Sequence, residues 1–379
     1  MKRRVLIVPD KFKGTLTAHE AAAAIAAGWR RACPMDELEL LPMSDGGDGF
    51  GPILAEHLEA EARQVNSMDA ARRPGEVEWW WVPNQQLAIV EAARANGLAR
   101  LPKGQFAVTD LDTYGVGLLL VEVARSRPAR CVVGIGGSAT NDGGFGMALA
   151  LGWQFLDDNG KPIPGWYDLE RLSQVVPPSA SLSLGAVQVA VDVENPLLGD
   201  RGCSRVYGPQ KGLKPEQFAR AEACLGRLAE VYRKTVPGAA ALDRTVLPGA
   251  GAAGGLGFGL SAFVGAELTP GFDLFASWAG LKDKIQKADL VITAEGSIDA
   301  SSLMGKGVGG VTQLCAEMQR PCVGLAGITD FVPGRTSHFL QVAAMVPSLF
   351  TTEQAFAEPA RCLESLAFRT ASQLSASAF

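Results

Sequence analysis

Val5-Leu6-Ile7-Val8-Pro9-Asp10-Lys11-Phe12-Lys13-Gly14 runs directly into Thr15-Leu16-Thr17-Ala18-His19-Glu20 and an Ala-rich stretch to about Arg31. The short apolar run predicts a strand. Pro9 to Gly14 then predicts a loop, and Thr17 with Glu20 three residues later predicts a capping box that opens a helix. Three more stretches repeat this order. Leu38 to Leu41 leads into Ser44-Asp45-Gly46-Gly47-Asp48-Gly49 and a helix to about Arg63. Cys131 to Ile135 leads into Gly136-Gly137-Ser138-Ala139-Thr140-Asn141-Asp142-Gly143-Gly144 and a helix to about Leu151. Leu290 to Thr293 leads into Ala294-Glu295-Gly296 and, after Gly305-Lys306, a helix to about Met318. Strand, loop and helix in alternation predict an α/β architecture with parallel strands.

Between about 66 and 90 the texture changes, with Glu78-Trp79-Trp80-Trp81-Val82 and Leu87 to Val90 flanking Pro83-Asn84-Gln85-Gln86 as in a hairpin. A second domain is expected to start there. The length of 379 residues also suits two domains. Glycine is the compositional signal, at 44 of 379 residues, about 12% against a usual ~7%. Thr245 to Ala266 carries no charge, but its glycines predict a buried loop rather than a membrane span. The Ser- and Ala-rich tail after about 365 reads as a fraying end. A net charge of −5 argues against a nucleic-acid partner. Seven scattered cysteines with no C-x-x-C spell neither a disulfide framework nor a zinc site, and Met1-Lys2-Arg3-Arg4 precedes too short an apolar run for a signal peptide. The expected setting is cytoplasmic, with no membrane partner; the oligomeric state stays open, a homo-oligomer being one option.

Ligands of doubly wound sheets bind outside the carboxyl ends of the strands, where these loops fall. Gly134-Ile135-Gly136-Gly137-Ser138-Ala139 satisfies G-x-G-x-x-A, and Asp157 about 20 residues on stands where a ribose-binding acid belongs. An NAD-dependent oxidoreductase is therefore a rival reading. Against it, Asn141-Asp142-Gly143-Gly144 interrupts the place where a Rossmann helix should already be running. No G-x-x-x-x-G-K-[ST] is present, so a P-loop NTPase is excluded. What remains is a set of glycine-rich turns holding acids, amides and lysines, the inventory of phosphoryl transfer.

Seven loops together carry a resemblance. They are Pro9 to Gly14, Asp45 to Gly49, Gly134 to Gly144, Asp192-Val193-Glu194-Asn195-Pro196-Leu197, Gly208-Pro209-Gln210-Lys211-Gly212, Pro248 to Gly255 and Glu295-Gly296-Ser297-Ile298-Asp299. In that order the chain resembles the bacterial glycerate kinases of the glycerate 2-kinase type. The resemblance implies transfer of phosphate from ATP, with Mg²⁺, to a hydroxyl of glycerate, giving 2-phosphoglycerate. It also implies a flavodoxin-like three-layer α/β/α domain with a parallel sheet, formed by residues 1–65 and 281–379. A second α/β domain would be inserted at 66–280, with the active site in the cleft between them. Ala294, Ser301-Ser302 and Val308 depart from the family pattern. That departure motivates another alternative, a catalytically silent protein of the same fold that binds a sugar acid or nucleotide.

Within this frame, Gly136, Gly137, Ser138, Asn141, Gly143 and Gly144 are expected to bind ATP phosphates, since consecutive glycines let backbone N–H groups converge. Gly251 and Gly254, in the stretch Pro248 to Gly259, form a second nucleotide-binding candidate. Asp45 and Asp192 are the candidates for proton acceptor and Mg²⁺ ligand, in either assignment, and Asp299 is a further metal candidate. Lys13 and Lys306 are the catalytic cations, and Asp10, Lys11, Lys211 and Glu295 are expected to bind substrate. His19 falls in the first turn of a helix and His57 mid-helix, His338 has no partner pattern, and none of the three receives a role.

Overall fold

Each of the two main sheets grows from the strand–loop–helix units of the sequence. The computed structural model describes residues 2–47, 49–180, 182–300, 302, 307–330 and 339–376. Two units result: residues 1–45 with 272–379, and residues 46–271.

The first segment supplies β1 (Arg4–Pro9), the helix Ala18–Ala32 and β2 (Glu37–Leu40). Thr17 caps the helix in the expected reciprocal box with Glu20. The second unit follows with β3 (Glu61–Met68), β4 (Pro74–Val82), β5 (Leu87–Glu91), β6 (Arg130–Gly134), β7 (Gln154–Leu156), β8 (Gln174–Val176), β9 (Ala186–Val191) and β10 (Glu267–Pro270). Six of these form one sheet in the order β10-β9-β6-β5-β4-β3, while β7 and β8 make a separate antiparallel pair. β5, β6, β9 and β10 are mutually parallel, and β4 joins β5 as the expected antiparallel hairpin. One face of the sheet, with Trp79, Trp81, Val90 and Val133, faces the main core beside the helix Tyr114–Arg125. The other face carries the helix Phe50–His57, where a Cβ on Gly51 would come within 2.6 Å of the Trp80 ring.

The chain returns to the first unit with β11 (Leu290–Ile298), β12 (Cys322–Thr329) and β13 (Gln341–Val346). The five-stranded sheet runs β13-β12-β11-β1-β2 with every pairing parallel. Numbered within the unit this is the flavodoxin-like order 2-1-3-4-5, with its topological switch between β1 and β11. Val5, Ile7, Ile292 and Val323 bury against the helices Ala18–Ala32 and Pro359–Ala376. The alternating residues Leu6, Val8 and Val291 are also buried, on the face of the helices Leu281–Lys287 and Val308–Glu317. Both faces are covered, which accounts for the continuous apolar runs.

Four expectations change. The helix expected to reach Arg63 stops at His57, because Glu61 to Met68 pairs with β4 and Arg63 stacks its guanidinium 5.4 Å from the Trp79 ring. The boundaries between the units fall at 45/46 and 271/272, whereas the expected ones were 65/66 and 280/281. The tail expected to fray is helical to Ala376, with Leu366, Ala371 and Leu374 buried. Glu295, expected in a loop, lies within β11. Thr245 to Ala266 is broken into short turns and the helix Ala252–Gly259, and among the described residues no helix is long and apolar enough to cross a membrane.

Candidate active site

In the first unit, chemistry gathers at the carboxyl end of β1 and β11. Pro9 pairs with Ala294, so the next residues, Asp10 and Glu295, leave that register side by side. The Asp10 N–H donates to the Ala294 carbonyl at 2.8 Å, and Met43 N–H donates to the Pro9 carbonyl at 2.9 Å, which draws the segment ending in Asp45 to the same edge. Burial and the charge of Asp45 raise the Asp10 carboxyl to about 7. Burial, Asp10 and Asp45 raise Glu295 to about 7. Two carboxyl groups, Asp10 and Glu295, thus resist ionisation where a doubly wound sheet places its ligand.

Asp299 is held in a turn, accepting from Ser297 Oγ at 3.2 Å and from Ser302 N–H at 3.3 Å. Lys11 N–H donates to Asp10 Oδ1 at 2.7 Å, while Lys13 is exposed on the tight loop closed by Phe12 and Leu16. Lys306 and His338 lie outside the described residues. Among the described residues no three His, Cys, Asp or Glu side chains form a ready metal cage.

In the second unit the glycine-rich loop after β6 separates into two parts. Gly136 is half-buried and Gly137 is exposed, with φ 74°. Ser138 is 7% exposed, and Asn141, Asp142, Gly143 and Gly144 are buried. The Gly143 N–H donates to the Gly254 carbonyl at 3.0 Å and the Gly144 N–H to Asp142 Oδ1 at 3.2 Å, so both donors are engaged inside the fold. Asn141 Nδ2 donates to Ser204 Oγ at 3.0 Å. A Cβ on Gly254 would lie 1.9 Å from the Thr140 carbonyl oxygen, and one on Gly251 2.2 Å from that of Pro196. These glycines are required by backbone packed on backbone. Gly136 is itself packed, since a Cβ there would lie 2.7 Å from Gly47 Cα, so the part of the motif open to a phosphate is Gly137.

Lys211 is buried at the end of a single helical turn, and its Nζ donates to Ser138 Oγ at 2.8 Å and to the Thr140 carbonyl at 2.7 Å. Asp192 follows β9, beside β6, so it shares the carboxyl edge of this sheet with Gly136. Residues that sequence reasoning did not select complete the loop. Thr113 ties Asp142 by its N–H and hydroxyl, and Asn96 Nδ2 donates to Thr140 Oγ1 at 3.2 Å. They come from remote segments with no local motif.

Residues 5–375 match the glycerate kinase family. The chain belongs to that family. The glycerate kinase of Halalkalibacterium halodurans is 35% identical over 368 residues, 96% of each chain. The glycerate 2-kinase of Escherichia coli K12 is 35% identical over 93% of each. The crystal structure of a candidate glycerate kinase 2 from Salmonella typhimurium LT2 superposes with a TM-score of 0.83 at 31% identity, covering 99% of both chains. Membership of the glycerate kinase family makes the chain a phosphotransferase enzyme. Two features of this family member also oppose the dinucleotide reading. Its helix begins only at Phe145, after the buried Asn141 to Gly144, and Asp157 follows β7 in the separate two-stranded sheet rather than a strand beside β6.

Proposed function

We propose that the protein transfers the γ-phosphoryl group of ATP to a hydroxyl of glycerate, with Mg²⁺, and that 2-phosphoglycerate is the product. The observation that carries this reading is the Asp10–Asp45–Glu295 group at the switch point of a parallel sheet, in a chain of the glycerate kinase family.

The donor set suits a hard divalent cation. Mg²⁺ takes one or two carboxylates and completes its shell with water and phosphate oxygens, so a full protein cage is not needed. Asp45, with Asp10 or Glu295 beside it, would hold it; Asp192 is the alternative in the second unit, and Asp299 is engaged in its turn. Bound there, Mg²⁺ supplies positive charge for the phosphates. A carboxylate raised to about 7 is poised as general base near neutral pH. In the step itself a glycerate oxygen forms a bond to the γ-phosphorus, the bond from that phosphorus to the β–γ bridging oxygen breaks, ADP departs, and the hydroxyl proton passes to the carboxylate. Asp10 and Glu295 fit that acceptor as well as Asp45 does, which extends the initial assignment.

The Gly136–Gly137 turn, exposed at Gly137, with Ser138 behind it, is assigned to the nucleotide phosphates. Asn141, Gly143, Gly144, Gly251 and Gly254 support that turn from inside. Lys13 and Lys306 remain the proposed cations for the glycerate carboxylate and the transferred group. Phosphorus NMR of the product formed from D-glycerate tests the reading: a 2-phosphate resonance is expected, and a 3-phosphate alone would overturn the regiochemistry.

A further inference from the structure

Lys211 is a buried cation among neutral partners. It is 8% exposed, and its Nζ donates to a hydroxyl and a carbonyl, Ser138 Oγ and Thr140 O. Among the described residues no carboxylate lies within ion-pair distance of it. Burying an ammonium is costly unless something compensates it. The titratable groups that act on it are the Cys203 thiol, which burial itself raises to about 12, and Asp142, from the interior of the glycine loop. Asp142 does not reach it as a hydrogen-bond partner, because that carboxylate is taken up by Thr113, Gly144 and Gly146. Gly208 to Gly212 wraps tightly enough to fix the lysine, with a Cβ on Gly208 falling 2.1 Å from the Ser204 carbonyl.

One residue beyond Ser138, toward the surface, lies the exposed Gly137. A cation seated behind an open glycine turn makes that turn attractive to an anion and holds its hydroxyl in place.

We propose that Lys211 is a positioning residue for the phosphate end of the nucleotide: from inside the fold it fixes Ser138 and Thr140 and gives the Gly136–Gly137 turn its positive field, without touching the phosphate. The proposal rests on the reading that nucleotide phosphates bind this turn, and it alters the expectation that Lys211 contacts substrate. Burial also depresses the lysine to about 8, so its charge is partly lost just above neutral pH.

The test is calorimetric titration of the full chain with MgATP, for wild type, Lys211→Met and Ser138→Ala, with thermal unfolding alongside. Lys211→Met is expected to weaken ATP binding tenfold or more and to raise the KM for ATP more than it lowers kcat. Its thermal midpoint should equal or exceed that of wild type, because an uncompensated buried charge has been removed. In wild type, ATP affinity should fall between pH 7 and pH 9, a range in which ATP itself keeps its charge. That arm holds even if the variant does not fold. Ser138→Ala should give a smaller loss and retain the pH dependence. Unchanged ATP affinity in Lys211→Met, or a flat wild-type profile, overturns the role of Lys211 alone; a wild type that binds no nucleotide overturns the phosphate reading and this proposal with it.

Discussion

Thr113 and Asp142 are joined twice, the Thr113 N–H at 2.9 Å and its hydroxyl at 2.7 Å both donating to Asp142 Oδ2. The Gly146 N–H donates to the same oxygen at 2.9 Å and the Gly144 N–H to Oδ1 at 3.2 Å. The carboxylate is thus the node from which the loop after β6 hangs. Asp142→Ala leaves buried N–H groups without partners at roughly 1–3 kcal/mol each. A loss of about 3 kcal/mol or more is expected in urea unfolding.

The same residue sets a pH dependence. Burial first, and Asp112 second, raise Asp142 from 3.8 to about 6. The folded protein therefore holds this proton more tightly than the unfolded chain. Its stabilising contribution is complete below about pH 4 and is lost as pH rises through about 6. Asp142→Asn should remove that slope, seen as the pH 4 to 7 difference between wild-type and variant unfolding midpoints.

Gly254 offers a steric test. It has φ 69°, and a Cβ would sit 1.9 Å from the Thr140 carbonyl oxygen and 2.7 Å from Asn141 Cα. Gly254→Ala must push the loop aside, and overpacking of this kind costs ~1–3 kcal/mol. A lower thermal midpoint together with weaker ATP binding is expected. Gly137→Val, at the exposed φ 74° position, should instead raise the KM for ATP or abolish turnover while the fold survives.

Among the carboxylates, replacement separates roles. The general base should cost ~10²–10⁴ in kcat with little dependence on Mg²⁺. A metal-holding residue should be partly rescued by added Mg²⁺. Asp10→Asn, Asp45→Asn and Glu295→Gln assayed across Mg²⁺ concentrations give the assignment, and near-normal activity in all three would contradict it.

Much of this was legible because the sequence repeats one local grammar. The run Val5 to Val8, the turn to Gly14 and the box Thr17–Glu20 each specify their element through short-range physics, and the structure follows them. Glu61 to Arg63 misled because Glu, Ala and Arg favour helices, while the antiparallel partners, Trp81 for Glu61 through Trp79 for Arg63, lie 16 to 20 residues on and decide the outcome. The glycine motif was located but not resolved into an open turn and a packed interior, since that division depends on Gly254 and Gly259 arriving from far along the chain. Asn96, Thr113 and Ser204 carried no signal at all. Their partners, Thr140, Asp142 and Asn141, become neighbours only through the tertiary fold.

The central claim is tested most directly by ADP release from the purified protein with ATP, Mg²⁺ and D-glycerate, beside L-glycerate, glycerol and tartronate. Turnover that requires glycerate and disappears without Mg²⁺ is the predicted result. ATP binding with no ADP release on any of these acceptors would contradict the account.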